Sequence, residues 1–369
     1  MARKRNYALA KTGGDKRISA PELAYWPQDP RRYRPKIGLI GCGGITDHHL
    51  RAYREAGYDV VALCNRTLAK ARLRQKEFYP AAELYGDYRK LLARDDIEVV
   101  DIATHPEERV AIIRDALQAG KHVLSQKPFV TDLDVGERLV ELAEKKGLAL
   151  AVNQNGRWAP HFSYLRAAVG KGLIGEPFAA HLEVHWDHNW VKGTPFEDVR
   201  NLVLYDFGIH WFDILSCFMG GRTGTRVFAS HARSRSQKVR PPLLAQAMIE
   251  FEDAQASVVF DADVRFGRED RTYLAGPRGT LISQGPSLTE QTVTLYTRQG
   301  VARPKLRGTW FDAGFHGAMG ELLLAIEERR EPTHSARNNL KSLALCFAAC
   351  ASADTGKPAI PGKVRRLRH

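Results

Sequence analysis

No stretch of this 369-residue sequence stays apolar for the roughly 20 residues that a bilayer-spanning helix needs, so no membrane span is expected. Cysteine is sparse. Cys42, Cys64, Cys217, Cys346 and Cys350 are odd in number, lack C-x-x-C pairing, and lie in apolar stretches or beside a glycine turn. That pattern excludes a disulfide scaffold and reads as buried, reduced thiols, which fits a cytoplasmic protein. The basic start, Met1 to Arg5, has no apolar segment after it, so a secretory signal is not expected. Repeats and low-complexity segments are missing too. So is any stripe of Lys/Arg interleaved with aromatics, although the net charge is +13. Residues 1–35 carry +6 of it and residues 357–369 carry +5, which leaves +2 for everything between. Nucleic acid is therefore not an expected partner, and the basic tails read as solvated termini. Trp26 and Tyr33 suggest that part of the first arm is pinned to the body.

What the chain does contain is a glycine turn between a strand and a helix. Ile37, Leu39 and Ile40 are β-prone and stop at Gly41-Cys42-Gly43-Gly44-Ile45-Thr46. From Ile45 to Ala56 apolar residues recur at three- and four-residue steps. Gly41 permits a tight turn, Gly43 lets backbone approach a pyrophosphate, and the helix start with Gly44 and Ile45 offers free N–H groups. Thr46 stands where the fingerprint has Gly or Ala, which sets helix and strand slightly further apart. Alternation continues with strands expected at Val60–Cys64, Val99–Ala103, His122–Ser125 and Leu148–Val152. The helices between them are expected at Leu68–Phe78, Glu107–Ala119 and Asp132–Lys146. Such β-α-β units make a doubly wound parallel sheet of Rossmann type over residues 36–155. After that come a helix at Ala159–Val169, a strand at Phe178–Trp186 and a helix at Asp206–Met219. Six strand-like runs with short turns follow between Val227 and Tyr296, then helices at His316–Arg329 and Asn338–Ala353. The reading is an α/β protein with four parts: a basic arm (1–35), the Rossmann domain, an α/β domain with an open, mostly antiparallel sheet (156–335), and a C-terminal helix with a basic tail (336–369).

Three short stretches carry residues suited to chemistry. At the end of the second strand, Asn65-Arg66-Thr67 holds no carboxylate to grip a ribose 2′-hydroxyl or repel a 2′-phosphate, which favours NADP over NAD. Ser125-Gln126-Lys127-Pro128 closes the fourth strand, and the proline keeps Lys127 extended. A lysine there can hydrogen-bond a substrate hydroxyl and ease loss of its proton. In Asp206-Phe207-Gly208-Ile209-His210-Trp211-Phe212-Asp213, helical spacing sets Asp206, His210 and Asp213 on one face. His210 can take and return a proton near neutrality, and Asp206 can orient the imidazole or bind a hydroxyl. Taken alone, these residues read more readily as a loop charge, a helix cap and a core histidine.

Together, Gly-Cys-Gly-Gly-Ile, the run Ala119–Pro128 and the Asp-x-Gly-x-His-x-x-Asp of residues 206–213 resemble the Gfo/Idh/MocA family of NAD(P)-dependent oxidoreductases over roughly residues 36–356. The resemblance implies a sugar or cyclitol dehydrogenase or reductase acting on CH–OH, with Lys127, Asp206 and His210 as the catalytic group. It further implies cofactor contacts from Thr104, His105, Gln126, Lys127 and Asn155, besides the glycine turn and residues 65–67. Substrate contacts are expected from Arg157, Trp158, Trp186 and His188 as well as the catalytic group. It implies a homo-oligomer, dimer or tetramer, assembled through the C-terminal sheet. The family habit points to a small aldose, a pentose or branched sugar such as apiose. Two departures stand out: Gln126 replaces the usual Glu of Glu-Lys-Pro, and Thr104-His105-Pro106-Glu107-Glu108-Arg109 lacks a histidine common after the third strand. His181, His185 and His188 do not share one strand face, so no metal is expected. The alternatives are a relative that retains and recycles its cofactor without net redox change, and a non-catalytic NAD(P)-sensing protein.

Overall fold

The computed structural model describes residues 16–367. Its first sheet has six parallel strands: β1 (Lys36–Ile40), β2 (Asp59–Cys64), β3 (Glu83–Tyr85), β4 (Ile97–Ile102), β5 (His122–Gln126) and β6 (Leu150–Asn153). Their order is β3-β2-β1-β4-β5-β6. Chain direction across the sheet reverses between β1 and β4, so a crevice opens at the carboxyl ends of those strands. The helices are α1 (Thr46–Glu55), α2 (Leu68–Phe78), α3 (Tyr88–Leu92), α4 (Pro106–Gln118) and α5 (Leu133–Lys146). α5 starts at Asp132, whose carboxylate accepts from the N–H groups of Asp134 and Val135, and stops at the left-handed Gly147.

The second unit contains α6 (Pro160–Gly170), β7 (Ala179–His185), α7 (Ile209–Phe218) and strands β8 (Arg226–Ala232), β9 (Leu244–Glu250), β10 (Gln255–Asp261), β11 (Glu269–Gly276), β12 (Gly279–Gly285), β13 (Thr292–Thr297) and β14 (Gly300–Ala302). With β7 these strands make an eight-stranded sheet, order β14-β13-β12-β11-β7-β10-β9-β8, antiparallel except where β7 meets β10. Burial alternates along β9 and β10: Ala245, Ala247 and Ile249 point into the core, while Gln246 and Met248 point out.

Two helices return to the Rossmann sheet. α8 (Asp312–Glu327) sends Phe315, Met319, Leu322 and Leu323 into one cluster with Ile37, Leu39, Leu50 and Tyr53. α9 (Ala336–Thr355) buries Leu343, Cys346, Phe347 and Cys350 in the core that spans the other face and continues under the second sheet. Both units therefore share their hydrophobic interior.

The described parts of the basic tails are docked, which agrees with the pinning that Trp26 and Tyr33 suggest and corrects the expectation of solvated termini. Glu327 accepts the backbone N–H groups of Arg31, Arg32 and Tyr33 at 2.6–2.8 Å. At the other end Arg365 pairs with Asp134 and Glu137, and Arg366 with Asp132. These acidic partners lie around the start of α5, where carboxylates also favour the helix dipole. The arm upstream of Lys16, and residues 368 and 369, lie outside the described residues. No helix among the described residues is long and apolar enough to cross a membrane.

Asp270, fully buried in β11, has the Gln291 amide at 3.4 Å and the Trp211 side chain beside its carboxyl, and no cation pairs with it among the described residues. Burial pushes its pKa from 3.8 to about 8. Between those values the folded protein keeps a proton that the unfolded chain has released, so stability falls as pH rises through that window. Asp270→Asn should erase the trend. Measured by urea unfolding, the advantage of the Asn variant should grow by up to about 1.4 kcal/mol per pH unit between pH 4 and 8, then level off. A pH-independent difference would show that Asp270 is ionised in the fold.

Candidate active site

The site forms where the carboxyl edge of the Rossmann sheet faces the start of α7. Gly41 has φ +98°, and a Cβ there would lie 2.8 Å from the Ala103 carbonyl oxygen, so only glycine fits. At Gly43 and Gly44 an added Cβ would meet nothing within 4 Å, which leaves an open concavity before α1. Among the described residues the N–H groups of Gly43, Gly44 and Ile45 donate to no protein acceptor. The Thr46 hydroxyl donates to the Gly43 carbonyl at 2.6 Å and closes the turn. Free N–H groups at a helix start, with no side chain over them, fit a pyrophosphate.

Around the expected ribose position, Asn65 is already engaged. Its side-chain oxygen accepts from Cys42 N–H at 3.0 Å and its amide donates to the Thr67 carbonyl at 3.0 Å. Asn65 thus ties β2 to the glycine turn. Arg66, with 83% of its side chain exposed, pairs with Glu108 at 2.7 Å. His105 precedes α4 and is exposed, and Thr104 sits beside it with its carbonyl turned to Arg109.

Lys127 follows β5 through a cis peptide to Pro128. Its ammonium donates to the Asp206 carbonyl at 2.9 Å and pairs with the Asp206 carboxylate at 3.1 Å. The expected helix from Asp206 is corrected here. Residues Val203–Phe207 form a wide turn in which Gly208 N–H reaches back to the Val203 carbonyl at 2.9 Å, and α7 begins only at Ile209. Gly208 makes this possible, because a Cβ would lie 2.5 Å from the Leu204 carbonyl oxygen. The turn is anchored by Tyr205, whose hydroxyl donates to the Val130 carbonyl at 3.2 Å. Asp206 consequently turns to Lys127, and no hydrogen bond joins it to His210 among the described residues. His210 Nδ1 has no partner among the described residues, and the Trp310 ring stands edge-on 5.5 Å away. Burial, then the charge of Lys127, hold its pKa well below the usual imidazole value, so His210 is neutral.

Aromatic rings wall the space beside Lys127. The Phe207 ring lies 5.9 Å from the ammonium, His188 packs on Phe207 at 4.4 Å, and Trp186 stacks on His188 at 5.5 Å. Burial pushes His188 down to about 4, so it too is neutral. Trp190 continues the wall 6.1 Å from Phe207 with 58% of its surface exposed. Asn153, opposite Gln126 in the sheet register, is buried with its amide unpartnered among the described residues. Motif reading does not single out Phe207 or Arg109, since nothing in their local sequence distinguishes them from packing residues.

Other expected residues lie elsewhere. Arg157 is buried and bidentate on Asp213 at 2.6 and 2.7 Å, with its remaining donors on Asn338 and the Thr333 carbonyl. Trp158 packs edge-on against His334 and under Arg166. Asn155 turns its amide toward the Trp310 carbonyl. His181 bonds Ser257 and His185 bonds Asp261, and no three potential ligands converge as a metal would require among the described residues. Two clefts of about 530 and 460 Å³ beside the ends of α6 and α7 include none of Lys127, Asp206 or His210.

Residues 35–154 match the profile described as "Oxidoreductase family, NAD-binding Rossmann fold", and residues 162–282 match the "GFO/IDH/MocA C-terminal domain". A D-apiose dehydrogenase of Paraburkholderia graminis is 29% identical over 342 residues, covering 88% of this chain and 89% of that protein. An inositol 2-dehydrogenase of Salmonella typhimurium is 29% identical over 183 residues, 49% of this chain and 53% of that one. The crystal structure of an oxidoreductase from Agrobacterium radiobacter, in complex with NAD+, L-tartaric acid and magnesium, has a TM-score of 0.80 at 23% identity, covering 89% and 99% of the two chains. The last likeness is one of fold.

The geometry makes Arg157 a structural cation, and its replacement a test of that assignment. Arg157→Leu should cost about 3–5 kcal/mol in chemical unfolding, because Asp213 would stay buried without its partner. A loss of substrate affinity without loss of stability would instead return Arg157 to the substrate site.

Proposed function

The chain belongs to the Gfo/Idh/MocA oxidoreductase family, and from that premise we propose that it interconverts a CH–OH group of a sugar or cyclitol and the corresponding carbonyl, using NAD(P). The observation that carries the reading is the Lys127–Asp206 pair beside an imidazole kept neutral by burial. A neutral, unpartnered His210 can accept the hydroxyl proton as the C–H bond breaks. Lys127, fixed by the Asp206 carboxylate and carbonyl, can donate to the oxygen as negative charge grows there. When bound, the nicotinamide supplies the hydride acceptor or donor. Residues 41–46 would hold its pyrophosphate, residues 65–67 its adenosine ribose, and Thr104, His105, Gln126 and Lys127 its nicotinamide half. Phe207, Trp190 and His188 suit the C–H face of a sugar ring. The D-apiose dehydrogenase relatives support a small aldose, a branched pentose included, over a large glycoside.

The lack of a carboxylate in Asn65-Arg66-Thr67 supports preference for NADP. The half-exposed outer face of the second sheet, with Met248, Val259 and Tyr273, supports a homo-oligomer through that surface. Five unpaired cysteines support a cytoplasmic setting. An intact Lys127/Asp206/His210 group favours a working enzyme over a sensor.

Screening nicotinamide absorbance over a panel of sugars and cyclitols with NAD and NADP tests the activity. On the substrate found, His210→Asn and Lys127→Met should each cut turnover by about 10²–10⁴ while cofactor titration and the melt change little. Near-normal turnover in His210→Asn would remove the proposed proton transfer. Asn65→Asp should move the kcat/KM ratio toward NAD, and an unmoved ratio would place cofactor choice elsewhere.

A further inference from the structure

Arg109, near the start of α4, is 2% exposed and among the largest fully buried side chains. Its guanidinium donates to the Gln126 carbonyl at 2.5 Å and to the carbonyls of Pro128 and Thr104, with no carboxylate in ion-pair contact among the described residues. Burial pulls its pKa down to about 10 against the more distant charges of Tyr205, Asp206 and Asp101. A cation at this end of a helix also opposes the helix dipole. An apolar side chain of similar volume would fill the space without those penalties. The cost calls for something that only the planar fork provides.

Its acceptors show what that is. Two of them, the Gln126 and Pro128 carbonyls, flank Lys127, and the third, Thr104, lies two residues beyond the neighbouring strand β4. From the opposite side, the Gln126 side chain accepts the Lys127 N–H at 2.7 Å and its amide faces His49 Nε2 at 3.0 Å. His49 Nδ1 meets Asp101 at 2.7 Å, where the Tyr53 hydroxyl also donates at 2.7 Å. With the amide donating to Nε2, Nδ1 is left to donate to Asp101, which fixes the direction of the chain. All of these side chains are buried. A carboxylate at position 126 would not fit the same pattern, because it has no N–H to give to Nε2 and would need a proton there instead.

We infer that Arg109 is a positioning residue for Lys127: the guanidinium fork and the Gln126–His49–Asp101 chain hold the peptide on both sides of Lys127, so that its ammonium meets Asp206. The inference rests on the reading of Lys127 as the cation of the active site. A lysine at 109 keeps the charge but offers a point donor, which cannot span three carbonyls.

The test pairs a readout that needs no substrate with one that does. In the full-length protein, competitive acetylation with trace acetic anhydride and mass spectrometry reads the reactivity of each lysine. Arg109→Lys should raise Lys127 acetylation severalfold while other lysines and cofactor binding stay unchanged, and should lower kcat about tenfold or more with a smaller change in KM. Folded Arg109→Lys with Lys127 acetylation within twofold of the parent would make Arg109 mere packing and overturn the inference. Should that variant fail to fold, Gln126→Met, which keeps Arg109 and removes the amide bridge, should show the same labelling change, and unchanged labelling there overturns the inference equally. Altered labelling with unaltered kcat would support the clamp and count against the proposed role of Lys127 in turnover, so the two readings fail separately.

Discussion

The contact between Lys127 and Asp206 is the constraint on which the site depends. It joins the end of a Rossmann strand to a turn of the second unit, with both acceptors of the ammonium on one residue. Such a pair is useful only if each partner arrives with little freedom. Lys127 comes from a strand end whose neighbouring peptide groups are held by buried side chains. Asp206 comes from a wide turn that glycine permits and that Tyr205 and the α9 face hold in place. The neutrality of His210 follows from the same arrangement, since a nearby fixed cation and the loss of water both disfavour a second positive charge.

Much of this was legible from the residues. The Rossmann strands follow from β-prone runs broken by glycine, and the burial alternation of β9 and β10 matches their sequence period. The three-residue strand β3 escaped notice because so short a segment has no period to read. The start of α7 was misplaced for a related reason. Side-chain spacing cannot tell a regular turn from one widened by a residue, and the difference lies in carbonyls that Gly208 allows to approach. Hence Asp206 was expected to serve His210 and instead serves Lys127.

Polar residues were harder still. Asn65 carries the right chemistry at the right distance from the glycine turn, yet its amide closes a backbone contact between β2 and that turn. Arg157 and Trp158 are next in sequence to site residues but point into the core from a short 3-10 turn at Asn155–Trp158, all of whose residues are buried. The docking of the C-terminal tail was invisible for a simpler reason. Net charge counts Arg365 and Arg366 without locating Asp132, Asp134 and Glu137, which lie more than two hundred positions earlier.

The return of α8 to the first sheet has a consequence for how the protein is made. Phe315, Met319, Leu322 and Leu323 cover Ile37, Leu39 and Leu50, so that face of the dinucleotide-binding half stays uncovered on the ribosome until nearly the whole polypeptide has emerged. Synthesis runs at about 5–20 residues per second, which leaves the apolar face of β1 and α1 exposed for many seconds after those elements appear. The nascent chain thus offers a sustained target for chaperones. A ribosome stalled before codon 312 would hold a half-protein that lacks the helix needed to close its own core.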